Sequence, residues 1–126
     1  MAGNSGDLHE SSDKLKPETV DRHRAVVSIM EELEAIDWYD QRIDAATDPE
    51  LREILAHNRD EEKEHACMTL EWLRRHDSKL DEHLRTYLFT KKRILDVEHE
   101  AEHGGAAASS GGGASDGSLG IGSLKG

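Results

Sequence analysis

Two stretches without helix-breaking residues, joined by one turn signal, constrain this chain more than any other feature. Between Pro17 and Ala46 there is no glycine and no second proline, and Ile29, Leu33, Ile36 and Ile43 recur at intervals of three, four and seven. That is the spacing of one helix face. Pro17-Glu18 fits a helix start, because an early helical position leaves the N–H unpaired anyway and proline lacks it. Thr47-Asp48-Pro49-Glu50 interrupts the pattern, with Asp48 suited to an N-cap and Pro49 to the first position of the next helix. Leu51, Leu55, Thr69, Trp72 and Leu73 then share one stripe, which predicts a second helix over about residues 49–76. At about 1.5 Å per residue each helix is roughly 40 Å long. The prediction is all-α: an antiparallel two-helix hairpin, with no β-rich segment competing.

A lone hairpin leaves much of its apolar surface open, so it must pack against a second hairpin, from this chain or another copy. Residues from about 80 to 89 and from about 91 to 103 read as weaker helix, with Leu84, Tyr87, Leu88, Ile94, Leu95 and Val97 as contact candidates. They are too short and polar to complete a bundle. The chain therefore divides into a polar leader (1–16), a helical domain (17–103), a Gly/Ala/Ser linker (104–116) and a small apolar terminal segment (117–126).

The formal charge of −11 lies entirely before Gly104, since Asp116 and Lys125 cancel in the tail. An acidic surface repels nucleic acid and anionic lipid and concentrates cations, so neither nucleic acid nor membrane is expected as a partner. The single cysteine, Cys67, allows no internal disulfide and no CxxC zinc pattern, and reads as a packing residue. With no apolar signal-type stretch and no run long enough to cross a bilayer, a cytoplasmic location is expected.

Three ionisable groups fall where apolar residues belong. At 100° per residue, Glu62 lies about 20° and His65 about 40° from the direction of Leu51, inside the stripe of the second helix. Glu32 stands between Ile29 and Ile36, one turn from each. Burying a carboxylate costs several kcal/mol unless something compensates it. Arginine pairing or a wetter stripe are the plain explanations; a metal is the better one, since Glu and His three residues apart offer an oxygen and a nitrogen to one point. Di-iron and di-manganese carboxylate bundles use one Glu from each of two helices and a Glu-x-x-His from each of the other two. This chain has one of each, and two copies about a two-fold axis would supply the full set. Redox iron fits that donor set best, with manganese and zinc also compatible. Glu62 is the natural bridging ligand, with Glu32 and His65 terminal.

Two weaker clusters stand on neighbouring faces: Glu31, Glu34 and Trp38 on the first helix, and His57, Glu61 and Glu64 on the second. Either is a transit site for iron or simply a solvated acidic face. Tyr39 is a neighbour of the metals or a plain core aromatic. His9, His23, His76, His83, His99 and His103 show no partner spacing that singles them out.

The segments His23-Arg24-Ala25, residues 30–39 (Met-Glu-Glu-Leu-Glu-Ala-Ile-Asp-Trp-Tyr), residues 57–66 (His-Asn-Arg-Asp-Glu-Glu-Lys-Glu-His-Ala), residues 68–75 and Arg85-Thr86-Tyr87-Leu88-Phe89 strongly resemble the encapsulated ferritins over nearly the whole chain. The resemblance implies a ferritin-like protomer, a two-helix hairpin with a short C-terminal helix, that completes a four-helix bundle by dimerisation and assembles into an open decameric ring. It implies a ferroxidase centre with two irons per dimer interface, on ligands matching Glu32, Glu62 and His65, and peripheral metal sites matching Glu31, Glu34 and Trp38, and His57, Glu61 and Glu64. It further implies cargo status inside an encapsulin nanocompartment that stores the iron. The terminal segment looks like the family's targeting peptide, with Leu119, Ile121 and Leu124 docking on the shell's inner wall. One departure is Lys91-Lys92-Arg93, which stands where relatives are expected to carry a proline-containing breaker, implying a third helix that is longer or differently placed. Two other functions compete with ferroxidase: a non-catalytic iron-binding or delivery module for the shell, and a related di-iron oxygenase or peroxidase, disfavoured by the absence of rubredoxin-like cysteines.

Overall fold

The computed structural model describes residues 6–104, which are helical throughout their ordered elements and contain no strand. A short 3-10 turn, Ser12–Lys14, precedes α1, Pro17–Ala45. Lys16 holds extended backbone ahead of Pro17, and Glu18 places a carboxylate at the positive end of the helix dipole. The helix stops where Ala46 returns to extended backbone, its N–H bonding the Arg42 carbonyl at 2.8 Å. Asp48 then caps α2, Pro49–Arg75, its carboxylate accepting the Leu51 N–H at 2.9 Å. The turn chemistry expected at residues 47–50 is what the structure uses.

Two contacts that residue spacing does not reveal brace the hairpin. Arg52 Nε donates to the Ile43 carbonyl at 3.1 Å, giving a partner to one of the acceptors left over at the end of α1. Further along, the Arg59 guanidinium meets Asp40 at 3.0 Å and Asp60 at 3.2 Å, tying α2 to α1. Among described residues the hairpin buries only Ala25, Ala66 and Leu73. The two alanines suit close approach of the helix backbones, but Leu73 is the one large side chain among them. Fully burying a leucine contributes about 1.5–3 kcal/mol, while ordering each backbone residue costs about 1–2 kcal/mol. Such a core is too small for helices of this length, and Leu33 and Met68 remain 55% and 58% exposed beside Val26, Met30, Leu51 and Ile54.

The described residues up to Ser78 form one compact unit and those from Lys79 a second. Near the end of the first, Glu71 is clamped by Arg74 at 2.7 and 2.8 Å and by Arg75 at 2.6 Å. These bonds hold its carboxyl down at about 2. Since the folded value lies below the unfolded one, the stabilisation is full above the ordinary carboxylate range and is lost as pH falls towards about 2. Glu71→Gln is expected to lower stability at neutral pH by about 0.5–1 kcal/mol, discounted because the clamp is solvent-exposed. Melts of the two proteins should converge on acidification; a constant gap across pH would mean the ion pairs contribute nothing.

The two weaker helical segments expected after the hairpin are α3, Ser78–Tyr87, and α4, Ile94–His103. Ion pairs three and four residues apart, Lys79 with Glu82 and Arg85 with Asp81, line α3. Phe89 ends it by adopting φ 65°, the left-handed conformation that usually falls to glycine at this position. The Thr90 hydroxyl and N–H both bond the Tyr87 carbonyl, at 2.7 and 3.4 Å. Lys91-Lys92-Arg93 thus lies in the break, where Lys92 reaches both Glu100 oxygens at 2.9 Å. Val97 is the buried residue of α4. No helix among the described residues is long and apolar enough to cross a bilayer.

Candidate metal centre

Glu32 on α1 meets Glu62 and His65 on α2, and each of the three offers a ligand atom within 4.8 Å of the others. Among the described residues it is the one such group of three or more His, Cys, Asp or Glu side chains. Glu62 and His65 share a face because three residues nearly complete a helical turn. The Glu62 Oε1 to His65 Nδ1 distance is 3.6 Å, beyond hydrogen-bond length, so the pair is adjacent without being locked together.

Glu32 supplies the deciding observation. Its Oε1 is buried and has no hydrogen-bond partner. Burial is the main cause of a carboxyl pKa raised above its ordinary value, with repulsion from Glu62 and Glu31 adding to it and His65 opposing it. Arginine pairing does not account for the cluster: Arg24 bonds Asp21, Arg59 bonds Asp40 and Asp60, and Arg74 and Arg75 bond Glu71. Two carboxylates and one imidazole without thiolate suit a divalent iron, manganese or zinc ion, and a cation would give the orphaned oxygen its partner.

The arrangement makes a sign-definite prediction for the metal-free protein. A raised folded-state value means that relief by protonation is complete below the unfolded-chain value and lost as pH rises through the folded one. Glu32→Gln is therefore expected to stabilise the metal-free chain at neutral pH. Thermal melts in chelator should show this gain shrinking in acid, and a variant no more stable than wild type at pH 7 would contradict it.

The cluster is less enclosed than residue spacing predicts. Glu62 keeps 29% and His65 46% of its side-chain surface exposed. Both side chains therefore remain open to solvent among the described residues. Of the peripheral residues, Glu31, Glu34 and Trp38 are all exposed, and the Arg42 guanidinium sits 5.9 Å from the Trp38 ring. An indole N–H only donates, so Trp38 could line a cation site but not ligate through nitrogen. On α2, His57 Nε2 lies 3.3 Å from Glu61, and Glu64 does not join them in a three-donor group. Tyr39 is half-buried, with Arg42 5.6 Å from its ring centroid. Leu119, Ile121 and Leu124 lie outside the described residues.

Residue spacing also passed over a pair that the structure brings together, the neighbouring, mutually tilted rings of His99 and His103 on α4. Their separation of four residues was the available signal.

Comparison with known proteins identifies relatives over most of the chain. The model of the EncFtn-like family matches residues 7–91. An encapsulated ferritin-like protein of Rhodospirillum rubrum is 65% identical across 100% of this chain and 93% of its own length. A ferritin-like protein of Thermotoga maritima is 51% identical over 76% of this chain and 84% of its own. Among solved structures, a protein from Nitrosomonas europaea superposes with a TM-score of 0.67 at 57% identity, covering 69% of this chain and 96% of that one.

Proposed function

This chain belongs to the EncFtn-like family, and from that premise we propose that it is a ferroxidase whose di-iron site is shared between two copies. The buried, unpartnered Glu32 Oε1 beside Glu62 and His65 is the observation that carries the reading. One hairpin offers two carboxylates and one imidazole, half of the four Glu and two His that a di-iron bundle uses. An identical second hairpin would supply the other half and cover the exposed apolar stripe of α1 and α2 in the same act.

Iron(II) is the substrate. Glu62 would serve as the ligand shared by two ions, with Glu32 and His65 as terminal ligands. Each iron(II) loses one electron to dioxygen or peroxide, and the carboxylates offset the rise in metal charge. Glu32 serves as a ligand only when deprotonated, so iron uptake weakens in acid, and its raised affinity for protons moves that loss towards higher pH. Peripheral iron-attracting roles for Glu31, Glu34 and Trp38, and for His57, Glu61 and Glu64, belong to the same proposal, as does Tyr39 as a neighbour of the metals.

The relative from Rhodospirillum rubrum is named as encapsulated. By that likeness we place this chain as cargo of an encapsulin shell, docked through Leu119, Ile121 and Leu124, with oxidised iron stored in the shell. Deleting residues 117–126 is expected to abolish loading of co-expressed shells while leaving iron oxidation in solution at the wild-type rate; loaded shells from the truncated chain would locate docking elsewhere.

The reading is tested by adding iron(II) anaerobically to the full chain and then admitting air. A ferroxidase gives iron(III) absorbance and oxygen uptake far faster than buffer. A delivery module, the competing reading, binds iron(II) with no oxygen uptake above the buffer rate.

A further inference from the structure

We propose that His99 and His103 form a two-nitrogen chelate for a divalent transition-metal cation of the copper, nickel or zinc type. The proposal is independent of the ferroxidase reading. It concerns α4, which lies beyond the residues matched by the family model and in the second compact unit.

Four residues apart on a helix, the two side chains stand one above the other. Their ring centroids are 4.1 Å apart and the planes are tilted by 30°. His103 Nδ1 lies 2.9 Å from the His99 carbonyl oxygen. A carbonyl only accepts, so Nδ1 carries the proton, and the neutral ring keeps its lone pair on Nε2. Histidines that ligate metals are commonly fixed in one tautomer by such a bond on the other nitrogen. Both rings are exposed and open to an ion from solvent.

The surroundings favour a cation. Asp96, Glu98, Glu100 and Glu102 alternate along α4, which carries no lysine or arginine of its own; Glu100 is taken up by Lys92. The pair also occupies the C-terminal end of the helix, where the dipole is negative. Two imidazoles favour copper(II) first and nickel or zinc next, over iron(II) and manganese, and offer little to calcium or magnesium. The preference is unlike that of the carboxylate-rich Glu32, Glu62 and His65 group. Since the ligating rings must be neutral, binding weakens in acid.

Copper(II) and zinc(II) titrations of the full chain, followed by calorimetry and by copper EPR, decide the matter. Wild type is expected to bind one more copper ion per chain than His99→Ala/His103→Ala, with a two-imidazole nitrogen coupling pattern that the double variant, which keeps the single imidazole of the Glu32, Glu62 and His65 group, lacks. Either single substitution should weaken that ion by about tenfold or more, because one arm of a chelate is lost. Ala101→His combined with His103→Ala keeps two histidines but moves the second to another face of the helix, and should not restore binding. Equal stoichiometry and affinity in wild type and double variant would overturn the proposal, as would full binding by the relocated pair.

Discussion

Glu32→Ala and His65→Ala are each expected to slow iron(II) oxidation by at least about a hundredfold, a loss of roughly 2.7 kcal/mol of barrier lowering. The effect is large because each substitution acts twice: a site built from two copies loses two carboxylates or two imidazoles. Glu32→Gln keeps the shape and one oxygen acceptor but removes the charge that offsets the metal, so it should fall between alanine and wild type. Failure to fold is separable from failure to bind, since removing the orphaned carboxylate is expected to stabilise the metal-free chain. Wild-type rates in both alanine variants would mean that iron is oxidised elsewhere.

Co-assembly gives the second large effect. Wild-type chains co-expressed with equal amounts of the Glu32→Ala/Glu62→Ala/His65→Ala chain should retain about one quarter of the activity of the same total amount of wild type. With random pairing only that fraction of sites draws intact ligands from both sides. A site complete within one chain would instead leave about one half. Across a mixing series the shared site gives a curve in the square of the wild-type fraction, and a straight line would exclude it. The same coupling means that chelation weakens pairing, because metal and partner are bound together.

How far the sequence carries depends on how local the chemistry is. Pro17, Asp48 and Pro49 act on neighbouring residues, so both ends of the hairpin turn are legible to within a residue or two. Glu32, Glu62 and His65 are legible because helix geometry alone puts them on the apolar stripes. What is not legible needs the register between helices: Arg52 on the Ile43 carbonyl and Arg59 on Asp40 depend on which turns of α1 and α2 face each other. Burial of His65 is overestimated because the stripe is read as if already covered. The α3–α4 break is legible as a division between two weaker helical segments, but the way it is made is not. Phe89 takes a left-handed backbone that local rules assign to glycine, and Lys91-Lys92-Arg93 are ordinary helix formers.

A hairpin that buries little beyond Ala25, Ala66 and Leu73 has a short future on its own. Opening it exposes little more than is exposed already, so a solitary copy visits unfolded conformations often and is within reach of proteases each time. If a second copy covers the open stripe, as proposed, the unpaired chain is the protease-sensitive form, and the concentration of newly made chain, more than the strength of any one helix, would set how much protein survives.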